Sequence, residues 1–207
     1  MTENKTPKTM TENKTPFVLI GIVAFVILIG GWLMSSYNGM VNEDENINLQ
    51  WSEVENQYQR RLDLIPNLVN VVKGYASHEK ETLEGVIEAR AKATQTTIDP
   101  SNMTEEQLAS FQKAQDGLSG ALNRLMVVVE KYPDLKANEN FLQLQAQLEG
   151  TENRITVARK GYNDAATIYN KKVRRFPNNM LAGIFGFSVR PQFKAQEGAE
   201  SAPTVQF

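Results

Sequence analysis

The chain has 207 residues, a formal net charge of −2 at pH 7 and no cysteine. A weakly acidic chain gives no electrostatic reason to expect a nucleic-acid partner. The lack of cysteine excludes disulfides, thiolate zinc sites and cysteine nucleophiles. The length is sufficient for one domain with a substantial hydrophobic core.

Both ends of the chain are predicted to be disordered tails. Residues 1–16 are polar and contain the peptide TENKTP twice. This repeated peptide has no apolar side chain to bury, so it cannot offset the entropy cost of becoming ordered. Residues 194–207 are assigned to a second disordered tail.

An uncharged stretch follows the first tail. No charged residue occurs between Lys14 and Glu43, and residues 17–34 read FVLIGIVAFVILIGGWLM. A helix over this run, extended to Tyr37, is about 30 Å long, which is the thickness of the hydrocarbon core of a bilayer. The sequence therefore predicts a transmembrane helix over 17–36, with the lipid bilayer as partner. Its predicted membrane-anchor residues are Phe17, Phe25 and Trp32.

Two interpretations of this stretch remain open. A removable signal peptide has an apolar core of about 7–15 residues and small residues at its cleavage site. Here the core is longer, and LMSS at 33–36 is a poor cleavage site. A retained anchor is favoured, and cleavage after Ser35 or Ser36 is the alternative.

The charges on either side of the stretch predict its orientation. Lys5, Lys8 and Lys14 precede it, whereas acidic residues 43–45 follow it and no positive charge occurs before Arg60. By the positive-inside rule, these charges predict a single-pass protein of the cell (inner) membrane with a cytoplasmic N-terminus and an exported domain. The opposite topology is the alternative.

The segment after the apolar stretch is predicted to form two helices joined at a proline. Apolar residues recur at helical spacing from Tyr37, which predicts a first helix over 37–62. Pro66 disfavours helical geometry in the residue before it and suits the first turn of a helix, so a second helix is predicted over 66–96.

The residues around this predicted corner form a candidate interaction or structural motif. Asp63 is placed to cap the second helix, and the arginines before it are placed to pair with its carboxylate. A stapled corner between two helices is the favoured interpretation. The motif consists of Arg60, Arg61, Asp63, Pro66 and Asn67.

Two further helices show the sharpest periodicity. Thr104 and Gln107 have the spacing of a capping box that starts a third helix. A fourth helix is predicted over 138–176, and in both helices apolar residues alternate steps of three and four. The sequence thus predicts an all-α fold, in which a single N-terminal transmembrane helix precedes an antiparallel up-and-down four-helix bundle over 37–193. A loose coiled-coil array is the alternative.

The run FPNNMLAGIFGF at 176–187 is apolar, broken by glycine and too short to cross a membrane. Packing on the bundle, insertion into the membrane interface and contact with a partner all remain open, because exposed apolar surface usually marks a contact. The candidate interaction residues in this run are Ile184, Phe185 and Phe187.

Motifs for catalysis or metal binding are missing from the sequence. The single histidine, His78, has Tyr75 three residues before it and Thr82 four residues after it, so neither a di-iron Glu-x-x-His pair nor a zincin motif is formed. No nucleophile elbow, phosphate loop or dinucleotide fingerprint occurs. We therefore predict no catalytic residue, no metal site and no cofactor.

Three long stretches resemble the LemA family: the segment from WSEVENQYQRRLDLIPNLVN to GVIEAR at 51–90, the segment from EKYPDLKANENF to ATIYN at 130–170, and FPNNMLAGIFGF at 176–187. The resemblance covers nearly all of 37–193. It implies a bacterial membrane protein with one N-terminal span, a four-helix bundle and no assigned enzymatic activity. One relative helps to build magnetosome membranes, which implies a role in membrane organisation. Family descriptions place the domain in the cytoplasm, in conflict with the flanking lysines.

Two classes of function remain. The first is a membrane-anchored, non-enzymatic interaction or scaffold protein that forms homo-oligomers and contacts an unidentified membrane protein in envelope or membrane organisation. The alternative is a hydrolase or metal-dependent enzyme that uses surface carboxylates. The missing nucleophile and ligand motifs favour the first class.

Overall fold

The computed structural model describes residues 15–194, with side chains from residue 18 onwards. Apart from their inner ends, the two predicted disordered tails lie outside these residues. Within 15–194 all regular structure is helical, which confirms the predicted all-α class. The helices are α1 (Thr15–Tyr75), α2 (Lys80–Gln95), α3 (Glu105–Val129), α4 (Pro133–Lys136), α5 (Glu139–Arg174) and α6 (Asn178–Phe185), with a 3-10 turn at Pro100–Asn102.

Helix α1 is one unbroken helix of 61 residues. Its N-terminal part contains the apolar stretch. No residue in the most apolar 18-residue segment of α1 is buried in the structure. It is the one helix within the described residues that is long and apolar enough to cross a membrane. Further along α1, Met40 is fully buried, so the same helix passes from an exposed apolar surface directly into the core.

The predicted corner at Pro66 is wrong, because α1 continues through this residue to Tyr75. A proline inside a helix removes the hydrogen bond to the carbonyl four residues earlier, which here belongs to Leu62. The Nε atom of Arg90 in α2 donates to that carbonyl at 3.0 Å. A tertiary hydrogen bond thus replaces the missing backbone bond, and the chain reverses between α1 and α2 instead, at residues 76–79.

The predicted starts of the third and fourth helices are confirmed, and a capping side chain precedes each of them. Thr104 accepts a hydrogen bond from the backbone N–H of Gln107, whose side chain accepts one from the backbone of Thr104. The side chain of Asn138 accepts a hydrogen bond from the backbone N–H of Phe141 at 3.1 Å and starts α5. These bonds satisfy backbone donors that the first turn of a helix leaves free.

Helices α1 and α5 run antiparallel along one another. Asn138, at the start of α5, donates to the hydroxyl of Tyr75 at the end of α1, and Lys172, near the end of α5, lies 3.4 Å from Glu43. Helix α2 packs on α3 as an antiparallel pair. The buried side chains form two groups, one around Trp51, Tyr58, Phe111 and Tyr162, the other around Leu68, Leu118, Leu125 and Phe141.

Arg90→Met is expected to destabilise the domain, because the partly buried carbonyl of Leu62 then lacks any donor. One unsatisfied buried acceptor costs about 1–3 kcal/mol. In a Pro66→Ala background, which returns a backbone N–H to Leu62, the same substitution is expected to cost roughly half as much or less. Urea unfolding of the full chain in detergent, followed by circular dichroism, measures both costs.

Arg124→Met is the matched control, since Arg124 is exposed on α3. Its substitution is expected to change the free energy of unfolding by no more than about 0.5 kcal/mol. If Arg90→Met cost the same with and without Pro66, the guanidinium would not be compensating for the proline.

Candidate functional site

The first predicted motif does not form a corner. Arg60, Asp63, Pro66 and Asn67 are exposed, and of the five residues only Arg61 is buried. The carboxylate of Asp63 accepts a hydrogen bond from the Gln59 side chain at 2.7 Å. The predicted capping role of Asp63 is wrong, because α1 has no end at this position. Its predicted pairing with Arg61 is wrong as well, because Arg61 bonds to Ser119, Glu152 and Gln115 instead.

Arg61 instead ties three helices together. Its Nη1 atom donates to the hydroxyl of Ser119 in α3 at 3.1 Å and to the carboxylate of Glu152 in α5 at 2.9 Å. Its Nη2 atom donates to the side chain and the backbone carbonyl of Gln115. The guanidinium carbon also lies 5.1 Å from the ring centre of Tyr58. This arrangement places a charged cross-link between α1, α3 and α5.

The Arg61 ion pair lies at the edge of a cleft of about 280 Å³. The Arg61 side chain is 3 % exposed, whereas that of Glu152 is 55 % exposed, so the ion pair lies at the boundary between the protein interior and the solvent. Burial raises the pKa of Tyr58, and the charges of Arg159 and Arg61 oppose that rise. The phenol of Tyr58 therefore stays protonated at neutral pH.

The segment after α6 holds residues that sequence reasoning missed. Residues 186–194, here named the C-terminal strap, lie along α5 without regular structure. Asn170 accepts from the backbone N–H of Arg190 and donates to its carbonyl, both at 2.8 Å. Asn163 makes the same pair of bonds with Phe193, at 2.9 and 3.0 Å. Two asparagines thus bind the strap backbone as a neighbouring strand would.

The Phe193 side chain of the strap is buried in the core. Its ring stacks on Trp51 at 6.0 Å and meets the ring of Tyr162 edge-on at 5.5 Å. The hydroxyl of Tyr162 donates to the carbonyl of Pro191 at 3.0 Å. Burial raises the pKa of Tyr162 to about 12, so this hydroxyl remains a donor at neutral pH.

Arg190 joins the strap to two other parts of the fold. Its guanidinium forms an ion pair with Asp44 of α1 at 2.8 Å. It also donates to the backbone carbonyls of Pro100 and Ser101 between α2 and α3. The seven-residue spacing of Asn163 and Asn170 was the sequence signal for this arrangement, since it places both amides on one face of α5.

Helix α6 carries the third predicted set of residues. Leu181 and Ala182 are buried and Phe187 is half-buried, so one face of the run packs on the core. Ile184 is 75 % exposed and Phe185 is 50 % exposed, so the other face remains open. Gly186, at a φ of +79°, ends the helix in the left-handed conformation that glycine adopts readily.

Helix α6 lies beside the end of the apolar stretch. The ring of Tyr37 meets Phe185 edge-on at 4.9 Å and Phe187 at 5.8 Å. Leu33, in the last part of the apolar run, packs against the same core. The fold therefore places the second apolar segment of the chain next to the first.

The predicted membrane-anchor residues lie on the open part of α1. Phe25 is 63 % exposed and Trp32 is 41 % exposed. Phe17 is helical, and its side chain lies outside the part that the structure describes. An exposed apolar surface of this size usually marks contact with a membrane or with another protein.

Side chains that could bind a metal are not gathered at any of these places. No group of three or more histidine or acidic side chains suited to a metal ion occurs within residues 18–194. His78 is exposed in the turn between α1 and α2.

Arg61→Met is expected to lower the free energy of unfolding by about 2–4 kcal/mol, because it leaves the buried Gln115 side chain without a partner and Glu152 without its ion pair. Arg60→Met is the matched control, since the neighbouring Arg60 is exposed on the same helix. Urea unfolding of the full chain in detergent measures both. If both variants lost the same free energy of unfolding, the Arg61 cross-link would not contribute to stability.

Known proteins similar to this chain agree with the motif resemblance. Residues 50–207 match the model of the LemA family. Magnetosome protein MamQ 2 of Paramagnetospirillum magneticum is 28% identical, and the match covers 90% of this chain and 73% of that protein. Protein LemA of Metamycoplasma hominis is 30% identical, and the match covers 77% of this chain and 71% of that protein. The chain belongs to the LemA family.

Proposed function

We propose that this protein is a membrane-anchored, non-enzymatic scaffold. The apolar part of α1 crosses the bilayer once, and the rest of α1 forms an antiparallel up-and-down four-helix bundle with α2, α3 and α5. One observation carries the proposal: a helix with no buried residue in its most apolar 18-residue segment enters the core at Met40 without a break.

The unbroken helix supports a scaffold because it fixes the bundle relative to the membrane. A flexible linker would let a tethered domain turn freely, whereas helical residues extend the span by about 1.5 Å each along one axis. The bundle then stands on the membrane in a defined orientation. Such an arrangement presents the same surfaces to every neighbour in the plane of the membrane.

Oligomer formation and contact with a membrane protein partner are part of this proposal. Confinement to a membrane raises the effective concentration of the bundles, so weak lateral contacts become sufficient for assembly. A relative is named a magnetosome protein, which supports a role in organising a membrane or the cell envelope.

The orientation is proposed from the flanking charges. Lys5, Lys8 and Lys14 favour a cytoplasmic N-terminus and an exported domain in the cell membrane. A phosphatase reporter fused after Phe207 is expected to be active, because that enzyme requires export. A green fluorescent protein fusion that is bright, together with an inactive phosphatase fusion, would establish the opposite topology.

No observation favours the alternative of an enzyme that uses surface carboxylates. Three carboxylates that line clefts or lie beside the strap are engaged as ion-pair partners, namely Glu43, Asp44 and Glu152. Stoichiometric iron, manganese or zinc in the purified protein would support that alternative.

The anchor is tested by alkaline carbonate extraction of membranes that contain the full chain. The parent protein is expected to remain in the membrane pellet. Phe25→Arg combined with Leu28→Arg is expected to release it, because each arginine at the centre of a span costs about 2.5–3.5 kcal/mol. The matched control, Leu49→Arg with Val157→Arg, changes equally exposed residues outside the span and is expected to stay in the pellet.

Release of the parent protein by carbonate would contradict the anchor. A mature N-terminus at Ser36 or Tyr37, measured by mass spectrometry of the membrane-derived protein, would show that the stretch is a removed signal peptide.

A further inference from the structure

We propose that the end of α5 together with α6 forms a binding surface for anionic phospholipid headgroups, in the leaflet from which the bundle emerges. The inference rests on the proposed function, because it requires α1 to cross the bilayer. It adds a second, lipid-selective contact between the bundle and the membrane. The surface has two parts. The basic end of α5 is the name given to Lys171, Lys172 and Arg174 of α5 with Arg175, which directly follows the helix. The outer face of α6 is the name given to Met180 and Ile184 of α6 with Phe176, which lies two residues before the helix.

The fold places the basic end of α5 at the depth of the headgroups. The Nζ atom of Lys172 lies against α1 at Gly39, where an added Cβ would be only 2.8 Å away. Gly39 follows Met34, the last residue of the apolar run, by about 7 Å along the helix axis. The polar layer on each side of a bilayer is about 5–7 Å thick. Because α5 runs antiparallel to α1, the residues after Lys172 lie still closer to the membrane.

Helix α6 lies at the same depth. Phe185 and Phe187 pack on Tyr37, which is within one helical turn of the apolar run. Tyrosine is enriched at this level of membrane proteins, because its ring is apolar and its hydroxyl is polar. The short helix therefore lies against α1 where the bundle meets the bilayer.

The basic end of α5 has the charge and shape to bind phosphate groups. Lys171, Arg174 and Arg175 are exposed, and no carboxylate in the described part of the chain forms an ion pair with them. Lys171 and Arg175 line two open clefts of about 480 and 650 Å³. Guanidinium groups bind phosphate oxygens with two parallel hydrogen bonds, and an ammonium group adds a point charge.

The outer face of α6 supplies the apolar part of the surface. Phe176 is 76 % exposed, Met180 is 62 % exposed and Ile184 is 75 % exposed. Met180 and Ile184 are four residues apart in α6, and the buried pair Leu181 and Ala182 lies on its other face. Exposed apolar residues beside a basic cluster are the composition of elements that lie in the interface of anionic membranes.

Charge complementarity favours lipid over a second copy of this chain. A symmetric contact through this surface would bring the same positive charges of two copies together, and like charges across an interface oppose association. Anionic headgroups oppose the cluster with the correct sign and are available on all sides of the anchor.

The test uses a fluorescent label, which is simple to place because the chain has no cysteine. The full chain with Ile184→Cys carries a polarity-sensitive dye and is reconstituted in vesicles of phosphatidylcholine, with or without phosphatidylglycerol. In the anionic vesicles we expect blue-shifted emission and an acrylamide quenching constant about twofold lower than in phosphatidylcholine alone. A label at Val157→Cys, on an exposed site far along α5, is expected to be quenched equally in both.

Charge variants separate lipid binding from a general effect of charge. A triple variant carries Lys171→Gln, Arg174→Gln and Arg175→Gln. In this variant we expect the dye at residue 184 to have the same quenching constant in the two vesicle types. The matched triple variant, Lys113→Gln with Arg124→Gln and Lys131→Gln, removes the same charge from exposed sites on and just after α3 and is expected to retain the difference. High salt is expected to reduce it in the parent protein, since exposed charges are screened.

The outcomes distinguish the inference from the proposed function. If the protein fails to float with phosphatidylcholine vesicles, the membrane anchor itself fails. If it floats but the label at residue 184 is quenched equally in both vesicle types, the lipid surface is contradicted and the anchor stands. If the protection of the dye at residue 184 from acrylamide depended on the amount of protein per vesicle rather than on phosphatidylglycerol, the surface would be assigned to contact with a second copy and the inference would be overturned.

Discussion

The structure depends on the continuity of α1. A helix of 61 residues is exposed and apolar at its N-terminal end and packs one face into the core from Met40 onwards, and it contains a proline at position 66. The proline leaves the Leu62 carbonyl without its helical partner, and Arg90 of α2 supplies the missing donor. One tertiary hydrogen bond thus supports a geometry that local sequence opposes in the later part of α1. The apolar stretch and the bundle share one axis because the same helix continues without a break from the apolar stretch past Met40. The packing of α5, α6 and the C-terminal strap follows from that axis, since all three lie along α1 or return to it.

Basic side chains bind α1 to the rest of the fold at two levels. Arg61 cross-links the middle of the bundle through polar partners in α3 and α5. Nearer the apolar stretch, Arg190 of the strap pairs with Asp44, and Lys172 pairs with Glu43. These ion pairs neutralise Glu43 and Asp44, which follow the apolar run. The end of the domain next to the apolar stretch is therefore less acidic in the folded protein than residues 43–45 alone indicate. The sequence counts charges along the chain, whereas a membrane meets the charges that folding gathers at one depth.

Local signals predicted the parts of the fold that local interactions determine. The capping box at Thr104 predicted the start of α3, the spacing of apolar residues predicted that of α5, and composition alone predicted the apolar helix. The corner at Pro66 was predicted wrongly because the compensating donor, Arg90, lies 28 residues after Leu62 and no local pattern reveals it. Among the candidate residues, the spacing of Arg61 from Tyr58 and Ile65 indicates a buried position, whereas its exposed neighbour Arg60 lacks that spacing. The strap was missed because two asparagine side chains, rather than a repeating pattern, determine its conformation. The proximity of α6 to Tyr37 requires the antiparallel packing of α5 on α1, which only the folded chain shows.

The central claim is that the span and the bundle share one rigid helix. It is tested most directly by the distance between spin labels at Leu28→Cys and Leu49→Cys, on either side of the membrane boundary, in full-length protein reconstituted in lipid nanodiscs. Both side chains are exposed on α1, so labels at these sites leave the core intact. A continuous helix predicts a single narrow distribution of electron–electron distances centred at about 32 Å, and this mean distance is expected to be the same at low and high salt. A broad distribution, or one centred at a clearly shorter distance, would show a joint between the apolar stretch and the bundle and would contradict the account.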